Sequence, residues 1–96
     1  MPTYERSAEF LNDLARLTPD QRQQFQAAVR QMVEDLKANR PFRPSLGVER
    51  FHKRKGAYEM RWGVDGRALF EYGSSPHPGE AHIIWLAVGT HRIYKK

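Results

Sequence analysis

Five residues in the second half of the chain carry side chains suited to acid, base and anion chemistry. They are Glu59 and Arg61 in YEMRW, Arg67 in GRALFEY, and His91 and Tyr94 in the closing GTHRIY. Glu59 and Arg61 are two positions apart, a spacing that places both on one face of a β-strand. A carboxylate, two guanidiniums, an imidazole and a phenol suit work on a phosphodiester. RNA brings its own nucleophile, the 2′-hydroxyl. The protein then has to supply a base for the 2′-proton, fixed cations for the charge developing on the phosphorane oxygens, and an acid for the departing 5′-oxygen. Glu59 or His91 fits the base, Arg61 and Arg67 the clamp, and His91 or Tyr94 the acid, since the guanidinium fork matches phosphate geometry. Each also has an ordinary role. Strand arginines pair across a ladder with Glu59 and Glu71, a terminal tyrosine packs on a sheet, and a tail histidine is solvated.

The charge distribution points to the same half of the molecule. The chain has 96 residues, a formal net charge of +5 and no cysteine, so it is one domain without disulfides, thiol nucleophiles or cysteine-bound zinc. Residues 1–39 hold five basic and six acidic side chains, a net of −1, whereas residues 40–96 hold eleven and five, a net of +6. A basic half on a small domain reads as a surface for nucleic acid. The turn His52, Lys53, Arg54, Lys55 is the densest part of it, and Arg92, Lys95 and Lys96 add charge at the end. Such a turn positions a protein on RNA backbone without reading sequence. His77 and His82 lack a third ligand at convincing spacing, so no zinc site is expected. No segment approaches the roughly 18 apolar residues of a membrane helix, and MPTYERSAEF lacks the apolar stretch of a secretory signal. The expectation is a cytoplasmic protein with no membrane association.

These residues need a scaffold, and hydrophobic period divides it in two. Phe10, Leu11, Leu14 and Leu17 recur at helical spacing behind Ser7, predicting a helix over Ser7 to Leu17. Thr18, Pro19 and Gln21 stand at the positions of a capping box with proline at the first turn, so a second helix follows at once. Phe25, Ala28, Val29, Met32, Val33 and Leu36 form its apolar stripe. The segment NRPFRPSLG ends it. Then come four short runs rich in aromatic and branched residues, Val48 to Phe51, Ala57 to Trp62, Arg67 to Tyr72 and His82 to Val88, which predict an antiparallel meander. Tyr58, Met60 and Trp62, then Ala68, Phe70 and Tyr72, face the helices, leaving Glu59, Arg61, Arg67 and Glu71 outside; Leu69, Ile83, Ile84 and Trp85 blur the alternation. The expected class is α+β, an N-terminal helical hairpin packed on a small antiparallel β-sheet.

In this order of elements, YEMRW, DGRALFEYG, IIWLAVGTH and the tyrosine after it resemble the RelE/ParE superfamily of bacterial toxins along nearly the whole chain. The most specific part is the closing stretch Gly89 to Tyr94. The resemblance implies a first strand, which here would be a short one around Thr3 to Glu5. It further implies a type II toxin: a ribosome-dependent mRNA endonuclease without a cofactor, acting on ribosome-bound mRNA and neutralised by a cognate antitoxin. By position it implies a site of Glu59, Arg61, Arg67, His91 and Tyr94, with His52, Lys53, Arg54, Lys55, Arg92 and Lys95 as RNA contacts. Glu59 stands where some relatives carry lysine, which favours glutamate as the base or as the group orienting His91. Two alternatives remain. One is a ParE-like gyrase inhibitor, a class that generally lacks the terminal histidine and tyrosine, and the other is a non-catalytic RNA-binding module.

Overall fold

Both α-helices begin at the hydroxyl residue standing ahead of them. In the computed structural model, which describes residues 2–91 and residue 93, Ser7 Oγ accepts a hydrogen bond from the Phe10 amide at 3.1 Å and starts α1 (Ala8–Ala15). Thr18 Oγ1 accepts from the Gln21 amide at 3.2 Å while Gln21 Oε1 accepts from the Thr18 amide at 2.9 Å, so the capping box is complete at the head of α2 (Pro19–Lys37). The first stripe differs from expectation. Leu11 is 43% exposed and Asp13 is buried, its Oδ2 accepting from the Val88 amide at 3.3 Å. On a 3.6-residue period, positions 10, 13, 14 and 17 share a face from which 11 leans away.

Around the helices the chain forms β1 (Thr3–Arg6), a 3₁₀ helix (Pro44–Leu46), β2 (Glu49–Arg50), β3 (Ala57–Trp62), β4 (Gly66–Tyr72) and β5 (His82–Thr90). The sheet order is β1-β5-β4-β3-β2. The meander from β2 to β5 is antiparallel, but β1 runs parallel to β5, with Thr3 opposite His82 and Arg6 opposite Trp85. The sheet is therefore mixed, a correction to the antiparallel expectation. The physical reason is that a strand lying before both helices returns to the sheet beside the last strand and in the same direction. TYER, polar and mostly exposed, gives little sign of it in the sequence.

The blurred alternation of the last strand has a cause as well. A register shift at Leu69/Phe70 pairs Leu69 with Ala87 but Phe70 with Trp85, leaving Leu86 over. Trp85 and Val88, three apart, thereby both reach the core. Phe10, Leu17, Phe25, Ala28 and Met32 join Met60, Trp62, Ala68, Phe70, Ile83, Trp85 and Val88 in one buried cluster. Its aromatic centre has Trp85 against Phe10, Phe25 and Phe70, with ring centroids 5.7, 5.4 and 5.7 Å away.

The crossover from α2 to β2 is tied by one carboxylate. Asp35, fully buried, accepts four hydrogen bonds: from Arg40 Nε at 2.6 Å, the Arg43 amide at 2.9 Å, Arg43 Nε at 3.1 Å and Arg43 Nη2 at 3.0 Å. Arg43 Nη2 also reaches Glu34 Oε1 at 2.9 Å. The Arg43 side-chain hydrogen bonds, more than any other cause, hold the Asp35 carboxyl well below its ordinary range.

Candidate active site

The ladder between β3 and β4 sets the first part of the site. Arg61 stands directly opposite Arg67, and Glu59 opposite Leu69, so Glu59 and Arg67 are diagonal neighbours on one face. Their side chains meet, Arg67 Nε lying 3.6 Å from Glu59 Oε1, with 15% and 19% of the side chains exposed. Arg67 Nη1 also donates to the Gly66 carbonyl at 2.8 Å. Trp62 Nε1 donates to the Arg67 carbonyl at 3.0 Å, fixing that backbone to the core. A carboxylate and a guanidinium are thus held half-buried side by side, where a proton acceptor and an anion clamp can face one phosphodiester.

Arg61 shares the face by register but its side chain goes elsewhere. Its aliphatic stem crosses Gly47, where a Cβ would lie 2.8 Å from Arg61 Cδ, and it lines a cavity with Gln24 and Gln31 of α2. Among the described residues it has neither an ion pair nor a hydrogen bond.

His91 follows β5 directly. Its amide donates to the Asp65 carbonyl at 3.1 Å, pinning it over the β3–β4 turn, and the residue before it, Thr90, is paired with Gly66. Gly89 lies opposite Arg67, and a Cβ on Gly89 would run into Ile93 Cγ2. Ile93 therefore lies over the face that carries Arg67, and His91, next to the end of β5, is exposed. Tyr94, Arg92 and Lys95 lie outside the described residues.

The turn from His52 to Gly56 is exposed throughout and closes the β2–β3 hairpin through Phe51 and Ala57. A groove of about 410 Å³ beside it is lined by Arg50, His52, Arg54, Lys55 and Tyr58. Arg54 Nη2 lies 3.7 Å from Glu71 Oε2. His82 is buried, with Nδ1 2.6 Å from Thr3 Oγ1 and Nε2 3.3 Å from Glu5 Oε1, so it ties β1 to β5. Among the described residues no group of three or more His, Asp or Glu stands ready to hold a metal ion, and no helix is long and apolar enough to cross a membrane. Sequence reasoning missed the buried roles of Asp13 and Asp35. Their signal was a charge standing at core spacing, three residues after Phe10 and three after Met32.

No family model and no curated protein matches the chain. Among solved structures it is similar to the crystal structure of a copper-bound mutant toxin from Helicobacter pylori, with a TM-score of 0.62 and 16% sequence identity over 97% of this chain and 98% of that one. At that identity the likeness is one of fold, shared over nearly the whole of both chains.

Proposed function

We propose that this chain is the toxin of a type II toxin–antitoxin pair and acts as a ribosome-dependent mRNA endonuclease. The observation that carries the reading is the half-buried Glu59 and Arg67 pair, with Oε1 and Nε 3.6 Å apart, beside the end of β5 from which His91 projects. The RNA 2′-hydroxyl attacks its own phosphodiester. Glu59 accepts the 2′-proton, Arg67 and Arg61 offset charge on the RNA phosphates, and His91 or Tyr94 protonates the departing 5′-oxygen. His52, Lys53, Arg54 and Lys55, with Arg92 and Lys95, add contacts to ribosomal or messenger RNA backbone. The fold shared with a toxin supports an antitoxin as the protein partner.

The test is to incubate the purified protein with mRNA paused on ribosomes, beside free mRNA and beside His91→Ala, and to map the cut ends. Cuts confined to ribosome-bound message and lost in the variant are expected. No cutting by folded wild type overturns the nuclease; a positive gyrase supercoiling assay would then favour the ParE-like alternative.

A further inference from the structure

Apart from Arg61 itself, the cavity beside Arg61 is built from residues that the nuclease mechanism does not use. It has a volume of about 300 Å³, at the lower end of the range for small-molecule sites and about right for one nucleotide. Gln24 and Gln31 project into it from α2, seven residues and two turns apart, and so from one side of the helix. Ser45 and Gly63 complete its polar lining, over a floor that includes Trp62. Arg61 is the sole charged residue in that lining.

Two glycines keep the space open. Gly47, at φ 53, leaves room for the stem of Arg61, and a Cβ on Gly63, at φ 61, would collide with the Gln24 amide oxygen. The result is a guanidinium without a protein partner among the described residues, in a cavity that two glutamines also line. A guanidinium takes a phosphate, and a glutamine amide offers one donor face and one acceptor face, the pairing that a nucleobase edge requires. RNA-binding proteins read unstacked bases in this way. One positive charge with no carboxylate in the lining matches one phosphodiester.

We propose that this cavity binds a single nucleotide of the RNA strand adjoining the cut, its phosphate on Arg61 and its base edge on Gln24 and Gln31. The inference rests on the RNA reading above only for the identity of the strand. It gives the protein a means of preferring one base next to the scissile bond, which a site made of Glu59, Arg67 and His91 alone lacks.

The test is an amide NMR titration of the full chain with the four nucleoside 5′-monophosphates, the corresponding nucleosides and inorganic phosphate. Saturable shifts are expected at the Gln24 and Gln31 side-chain amides and the Gly63 amide, differing among the four bases. Loss of one charge-assisted hydrogen bond predicts affinity about 10-fold weaker or more in Arg61→Gln. Gln24→Ala should reduce the difference among bases, and Gln24→Ala with Gln31→Ala should abolish it, while leaving the rest of the spectrum in place. Inorganic phosphate binding as tightly as the monophosphates would overturn the base contact. Undiminished binding by Arg61→Gln would overturn the phosphate contact, and shifts confined to the His52–Gly56 turn, or no shifts, would overturn the site. Cutting is not measured, so the two readings fail separately: nucleotide binding here without message cleavage refutes the nuclease alone, and cleavage without these shifts refutes this inference alone.

Discussion

Glu59 and Arg67 illustrate how a residue can be built into a site at little cost to the fold. A diagonal pair on the open face of a sheet contributes little stability, on the order of 0.2–1 kcal/mol, so its half-buried placement has no strong structural justification. Its chemical value is larger, because a positioned general base is worth roughly 10²–10⁴ in rate. Glu59→Gln keeps the shape of the side chain beside Arg67, but it cannot take a proton at neutral pH. On the proposed reading the cleavage rate on ribosome-bound message falls by about 10²-fold or more, while the melting temperature stays near that of wild type. A variant cutting at the full rate would remove Glu59 from the chemistry and leave His91 as the base. Arg67→Ala should show the same separation of rate from stability, since its backbone is held through Trp62 whatever the side chain.

At the scale of elements, the start of α2 and its exit can be tested separately. Replacing the cap, Thr18→Ala, removes the hydroxyl that accepts from the Gln21 amide while the backbone amide at 18 can still donate to Gln21 Oε1. The expected loss is about 1 kcal/mol, read as a fall in Tm of about 4–8 °C for a domain of this size. The exit depends on Asp35. Its carboxyl is ionised far below its ordinary value of 3.8 in the folded chain, so its contribution is complete above that pH and is lost as pH falls toward the lowered value. Thermal melts from pH 7 to 2 should therefore show Asp35→Asn less stable than wild type at neutral pH, with the gap closing below about pH 4; a constant gap would mean that the carboxylate charge contributes nothing. These two ends also mark how far the fold was legible. The capping box and the stripe from Phe25 to Leu36 are local patterns, so the sequence announces them. The Ala57–Trp62 strand, bounded by turns, is equally clear. The parallel pairing of β1, the bulge at Leu69/Phe70 and the Asp35 lock depend on residues far apart in the chain, and no window of sequence contains them. The candidate site divides in the same way. Strand alternation puts Glu59 and Arg67 on one face, whereas the turning of Arg61 toward α2 follows from Gly47, fourteen positions away.

For the whole molecule, the basic surplus of the second half is smaller on the surface than in the sequence. Arg40 and Arg43 are consumed by Asp35 and Glu34, Arg54 approaches Glu71, and Arg67 is paired with Glu59. Among the described residues of that half, Arg50, Lys53, Lys55 and Arg61 have no acidic partner. These four are the cations free to displace counterions from RNA, and each phosphate contact adds about 0.7–0.9 to the slope of log affinity against log salt. If all four engage, ribosome binding should weaken with a slope of roughly 3–4, increased by whatever Arg92, Lys95 and Lys96 contribute. The double variant Lys53→Gln with Lys55→Gln should lower the slope by about 1–2 while leaving Tm and the pattern of cut sites unchanged, because backbone contacts position the protein without reading sequence. Binding measured across a salt series for both proteins decides the matter. An unchanged slope would mean that the basic turn points away from RNA, and the contacts would then have to come from the sheet face and the end of the chain.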